Sequence, residues 1–131
     1  MKKVYADTNV FVEYGQAQAH WSQREHAYEL FRRGWNCAFH LVVSDWVITE
    51  AKRHISMDVI NEVLDEFRTK NKLIEVSLSI QEKREAEKYD NWPDARHALV
   101  AKRAGADVIA TRDKGFYEFR EIIPFSLPEG V

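Results

Sequence analysis

The stretch Val4-Tyr5-Ala6-Asp7-Thr8-Asn9-Val10-Phe11-Val12 breaks an apolar run with an aspartate, a threonine and an asparagine, and then resumes it at once. A buried strand over Lys2–Ala6 that ends at Asp7, followed by a short helix from Asn9 to about Tyr14, accounts for the break. Such a junction sets a carboxylate at the carboxyl edge of a sheet, where open α/β folds hold their ligands. Taken alone, Asp7 is more simply read as the cap of the helix that follows it. Its meaning depends on what else in the chain joins it.

Outward from this junction, strands and helices alternate. The segments CAFHLVV (37–43), KLIEVSL (72–78), ADVIAT (106–111) and EIIPF (121–125) read as four further strands. Helical spacing runs from His20 to about Arg33, with Ala27, Leu30 and Phe31 on one face and Gly34 placed to stop it. SDWVITEAKRHI (44–55) reads as a helix capped by Ser44, with Trp46, Val47 and Ile48 turned inward. Another spans about Asp58 to Thr69, with Val59, Ile60, Val63, Leu64 and Phe67 on its apolar face. SIQEKREAEKY (79–89) reads as a solvated helix, and Pro93 opens a last one that Gly105 closes. Strands alternating with helices predict an α/β fold. The expected form is a three-layer α/β/α sandwich around a mainly parallel sheet of about five strands. With no repeat, low-complexity tract or Gly/Ser linker, residues 1–131 are expected to form a single domain.

Composition narrows the class. The chain is 45% hydrophobic and 31% charged, which is globular rather than disordered. A net charge of −2 argues against coating nucleic acid through overall basicity, but leaves a nuclease open, since local cations can hold a backbone while an acidic pocket holds metal. The single cysteine, Cys37, allows neither an internal disulfide nor a cysteine-only zinc site. No apolar stretch approaches a membrane span and no secretory signal is expected, so the expected compartment is the cytoplasm.

Four acids share the pattern that Asp7 begins. Glu50 lies two turns into the helix after the second strand, Asp94 starts the helix at Pro93, and Asp113 follows the fourth strand. Each has an ordinary explanation: a wet helix face for Glu50, a helix dipole for Asp94, turn chemistry for Asp113. Together they stand where a parallel sheet collects its ligands. The segments ADTNVFVE, SDWVITEAKR and PDARHALVAKRAGADVIATRDKGF resemble, in order, the motifs of the PIN-domain ribonucleases, a family that includes VapC-like toxins. Asp7-Thr8-Asn9 is similar to the family's opening triplet, and Glu50 after the cap Ser44 to its second acid. Asp94-Ala95 matches the third motif, and Thr111, Asp113 and Phe116 match the fourth. Arg96 and His97 depart from the pattern, standing where apolar or small residues are common, which predicts a more polar exposed side for that helix.

Clustered carboxylates without paired histidines or cysteines form a hard oxygen environment suited to Mg²⁺ or Mn²⁺, which supports phosphodiester hydrolysis. Asp7 and Asp94 are the expected main metal ligands, Asp113 the completing one, and Glu50 the residue that orients the attacking water. Thr8, Asn9, Ser44 and Thr111 are expected to support them by hydrogen bonds. The resemblance implies a metal-dependent endoribonuclease that cuts single-stranded or loop RNA to leave a 5′-phosphate. It also implies a possible antitoxin partner. Lys52, Arg53, Arg96, Arg112 and Lys114 are candidates for phosphates beside the cut, Arg112 and Lys114 first because they bracket Asp113. None of His20, His26, His40, His54 and His97 has metal-ligand spacing. Four Trp, seven Phe and five Tyr exceed what one small core is expected to hide, so a homodimer is expected through the helices between Trp21 and Phe67. An aspartyl-phosphate enzyme would need an acid where Asn9 stands. The remaining rivals are an inactive RNA- or protein-binding module of the same fold and a housekeeping RNA-processing nuclease.

Overall fold

The structure, a computed structural model, describes residues 1–16 and 19–131. Its strands are β1 (Lys3–Ala6), β2 (His40–Ser44), β3 (Leu73–Val76), β4 (Val108–Ala110) and β5 (Phe125–Ser126). They form one sheet in the order β3-β2-β1-β4-β5, with every pair parallel. Six α-helices connect them: α1 (Thr8–Gly15), α2 (Trp21–Trp35), α3 (Asp45–Ala51), α4 (Met57–Thr69), α5 (Ile80–Ala86) and α6 (Trp92–Arg103). A 3₁₀ turn over Lys114–Phe119 follows β4.

The central strands are apolar on both faces because helices cover both. Val4, Tyr5 and Ala6 of β1 and Ile109 and Ala110 of β4 have no exposed surface. Helices α1, α2 and α4 pack on one another, α5 packs on α6, and α3 touches both α1 and α6. This is the expected α/β fold with a five-stranded parallel sheet. Between β1 and β4 the strand order reverses direction, since the chain leaves β1 toward β2 and β3 and later crosses to the other side. The crevice beyond the carboxyl ends of β1 and β4 is therefore the topological switch point. Asp7 leaves β1 into that crevice, and its amide donates to Ala110 O of β4 at 3.0 Å.

Several boundaries differ from expectation, each for a local reason. Gly34 does not stop α2; the helix runs on to Trp35. The stop is a Schellman turn with Cys37 in the left-handed region (φ 66°), where Cys37 N bonds Gly34 O and Ala38 N bonds Arg33 O. Gly34 is instead required by packing: a Cβ there would lie 2.5 Å from Phe67 Cζ and 2.8 Å from Phe39 Cε2. Gly105 does close α6 as expected, at φ 79°. The fifth strand starts only after Pro124, whose carbonyl accepts from Ile109 N. The core also hides more aromatic mass than expected. Phe11, Phe31, Phe39, Phe67, Phe116 and Phe119 are all buried, so Phe67 contributes to no surface contact.

Gly34→Ala decides between two opposed effects. Helix propensity favours alanine by about 1 kcal/mol, whereas overpacking a dense core costs about 1–3 kcal/mol. Two buried rings inside 3 Å put the clash at the upper end. A net loss of about 1–2 kcal/mol is expected, read as a lower urea midpoint with unchanged slope; an unchanged or higher midpoint would show that the rings move aside freely.

Candidate active site

Asp7 caps α1, its Oδ1 accepting from Thr8 N at 2.7 Å, so the ordinary reading of this residue is correct as far as it goes. A cap, however, is normally wet, and Asp7 is only 4% exposed. Its other oxygen accepts from Thr111 Oγ1 at 2.8 Å. Thr111 in turn accepts from Asp113 N at 3.0 Å, tying the ends of β1 and β4 together. Burial raises the Asp7 pKa above the usual range, and the favourable contacts with His97, Thr111 and Thr8 only partly oppose this.

Asp7, Glu50, Asp94 and Asp113 line one open pocket at the switch point, with Thr8 and Asn9 in its wall. Within it the acids form two groups. In the first, Asp7, Glu50 and His97 each bring one polar atom within 4.8 Å of the others. Glu50 Oε1 accepts from Thr8 Oγ1 at 2.6 Å and lies 2.6 Å from His97 Nε2. Burial alone would raise the Glu50 pKa, but these contacts outweigh it and hold the carboxyl below the ordinary glutamate value.

The second group is Asp94 with Asp113. Asp94 sits in the first turn of α6, and Asn91 Nδ2 donates to its Oδ2 at 2.9 Å. The Asp113 carboxyl stands close beside it in the same pocket, a like charge next to Asp94. Burial first, and then Asp113, push the Asp94 pKa up to about 7. Gly115 makes room for the pair: a Cβ there would stand 3.0 Å from Asp113 Oδ1 and 3.2 Å from Asp94 Oδ2. Asn9 Oδ1 is buried with no hydrogen-bond partner among the described residues, an acceptor kept available beside the acids.

The donor set has its counterpart in sequence comparison: the PIN domain family model matches residues 4–122. The chain belongs to the PIN-domain family. No curated protein matches it in sequence. Among solved structures it is similar to the Mycobacterium tuberculosis toxin VapC20, described as cleaving the sarcin-ricin loop. That match has a TM-score of 0.63 and 14% identity, and covers 88% of this chain and 94% of the other. At that identity the likeness is one of fold.

This PIN domain departs from its sequence reading at two places. His97 is not on a polar exposed side of α6; it is 1% exposed and faces the acids. Helix α6 is buried around much of its circumference, with Asp94, Ala95, His97, Ala98, Val100 and Ala101 all inside, so its polar residues do not mark an outer face. The usable signal was spacing: His97 follows Asp94 by three residues, which puts both on one side of a helix. Arg112 does not reach the pocket. Its guanidinium bonds Glu13 at 2.9 Å and Glu129 at 3.2 Å, and its side chain is only 16% exposed. Arg53 and His54, from the end of α3, line the pocket instead. Lys114 stands exposed at the start of the 3₁₀ turn.

Proposed function

We propose that this PIN domain is a divalent-metal-dependent endoribonuclease acting on single-stranded or looped RNA, with Mg²⁺ or Mn²⁺ as the ion. The observation that carries the reading is the convergence of Asp7, Glu50, Asp94 and Asp113 on one pocket, with Asp94 and Asp113 side by side at Gly115. Four carboxyl groups gathered in one pocket fit a hard cation with oxygen ligands. Asp94 and Asp113, with Asp7, are the residues that would hold it; Thr111 keeps Asp7 and Asp113 in register.

When bound, such an ion supplies an activated water and neutralises charge developing on the phosphodiester. Glu50 is suited to orient that water, because Thr8 and His97 both fix its Oε1 while Oε2 has no hydrogen-bond partner among the described residues. Ser44 supports the same corner as cap of α3, accepting from Val47 N at 3.1 Å. Arg53 and Lys114 supply cations around the acids for the flanking phosphates, and His54 adds a polar ring to the pocket wall. Arg96 adds another: its guanidinium lies 4.5 Å over Trp46 and 4.6 Å over Trp92, and has no ion pair among the described residues.

A toxin role within a toxin–antitoxin pair is supported by the fold shared with VapC20. A protein partner, either a second copy of this chain or an antitoxin, is supported by Trp21 and Tyr28 of α2. They are 69% and 45% exposed beside a groove that includes Tyr14 and Val59. Among the described residues no helix is long and apolar enough to cross a membrane.

The test is cleavage of single-stranded RNA by purified protein. Cutting is expected with Mn²⁺ or Mg²⁺, to vanish with chelator and return when the ion is restored. Cutting that persists after exhaustive chelation would remove the metal-dependent reading; intact RNA at every ion concentration would leave a binding module.

A further inference from the structure

His97 is a buried ionisable group whose contacts reach well beyond the Glu50 oxygen it helps to hold. Its ring has no room to turn: Tyr5, Trp46 and Phe116 lie around it at centroid distances of 5.7, 6.2 and 6.3 Å. Nδ1 is 2.7 Å from Tyr5 Oη, and Tyr5 Oη is 2.7 Å from Ser44 Oγ. Nε2 is 2.6 Å from Glu50 Oε1 and 3.3 Å from Asp7 Oδ1.

Counting protons along this chain assigns the ring. Ser44 Oγ accepts from Val47 N, and Tyr5 Oη is the only acceptor among the described residues for its own hydroxyl proton. Tyr5 must then give its proton to His97 Nδ1, which leaves Nε2 as the nitrogen that carries hydrogen. A second proton on the ring would leave Nε2–H unchanged. The reverse assignment, with a bare Nε2 free to bind a metal, strands the Ser44 hydroxyl proton in a buried position.

We propose that His97 is a positioning residue whose Nε2–H joins Glu50 to Asp7 in the place a second cation would take, leaving one divalent ion per chain to the Asp94–Asp113 side of the pocket. This rests on the reading of the pocket as a divalent-cation site. The outer part of the helix–strand network serves it: Ser44 and Tyr5 orient the ring, Trp46 and Phe116 clamp it, and Thr8 adds a second donor to the same Glu50 oxygen. The result is a Glu50 held in place before any ion arrives.

Two measurements test this without relying on RNA cleavage. Long-range ¹H–¹⁵N NMR of the histidine rings is expected to show His97 with hydrogen on Nε2, both without ion and with saturating Mg²⁺. Loss of that hydrogen on Mg²⁺ binding would make His97 a ligand and overturn the proposal. Mn²⁺ titration followed by electron paramagnetic resonance is expected to count one ion in wild type. His97→Gln, which keeps a donor, should still take one, whereas His97→Leu should take a second, weaker one. Two ions in wild type, or one in His97→Leu, would overturn it. Should His97→Leu not fold, Tyr5→Phe serves: ring exchange should appear in the NMR, and kcat should fall about tenfold with KM nearly unchanged. Unchanged spectra and kcat in Tyr5→Phe would count against the proposal. Wild type that binds one ion yet cuts no RNA would sink the nuclease reading alone; wild type that binds no ion at all would sink both.

Discussion

Asp94→Asn is expected to abolish RNA cleavage while leaving the metal-free protein as stable as wild type or more so. The substitution keeps the shape of the side chain, and Asn91 Nδ2 keeps an oxygen to donate to. What it removes is a charge that the folded protein resists. Asp94 has its pKa raised from 3.8 to about 7, by burial and by the neighbouring Asp113. For an acid shifted upward, the native state binds the proton more tightly than the unfolded chain. Stability linked to this group is therefore full below the unfolded value and is lost as pH rises through about 7. After discounting for solvent in the open pocket, the loss is on the order of 1–2 kcal/mol at pH 8. The competing effect is the helix dipole, which favours an acid in the first turn of α6 by about 0.3–1 kcal/mol. Strain exceeds dipole, so the variant should melt a few degrees higher than wild type at pH 8 without metal, and the difference should shrink toward pH 5. Cleavage should fall by about 10³-fold or more, since removing a group that stabilises developing charge typically costs that much. A variant that still cuts and melts lower at pH 8 would make Asp94 a structural residue.

The contrast between Asp94 and His97 shows what the sequence could and could not convey. Asp7 and Asp113 are legible because each follows a short apolar strand, and a parallel sheet sends such ends to one edge. Asp94 is legible because Pro93 marks a helix start, and the first turn of that helix points at the same edge. Glu50 is less so: Ser44 marks its helix, but its direction depends on α3 packing between α1 and α6. His97 escapes because α6 is neither amphipathic nor solvated on the side its polar residues suggest. Its true surroundings come from Tyr5, Ser44 and Glu50, on three different elements, and no local pattern joins them. Tyr5 held a clue, since a phenol in the middle of a fully buried strand needs a partner for its hydroxyl. Gly34 fails for a similar reason: a glycine near a helix end signals a stop, but here the contact that needs it is Phe67, from α4. Arg112 brackets Asp113 in sequence, yet Glu13 and Glu129 arrive from distant parts of the chain and hold it away. Position along the chain predicted which backbone ends meet. Which side chains are then free to act was set by long-range partners.

Mn²⁺ affinity is expected to rise about tenfold per pH unit between pH 5 and 7 and to level off above, a total change of about 100-fold. The reason is competition for the same place. Burial first, and then the neighbouring Asp113, raise the Asp94 pKa to about 7, so this carboxyl keeps its proton up to near that pH. An ion held by Asp94 would have to displace that proton, so each ion taken up below that pH would release one. His97 pulls in the same direction: burial lowers its pKa, but Asp7 and Glu50 more than reverse this, so a charged ring beside the pocket adds repulsion at low pH. Calorimetric titrations in two buffers of different ionisation enthalpy at pH 6 would count the protons. One proton per ion is the expected result, and a second would be assigned to the His97 ring. Cleavage at limiting Mn²⁺ should follow the same slope, and at saturating Mn²⁺ the slope should flatten. An affinity that does not change between pH 5 and 7 would mean that the ion leaves the Asp94 proton in place, and the ligand set would then have to be sought on the Asp7–Glu50 side alone.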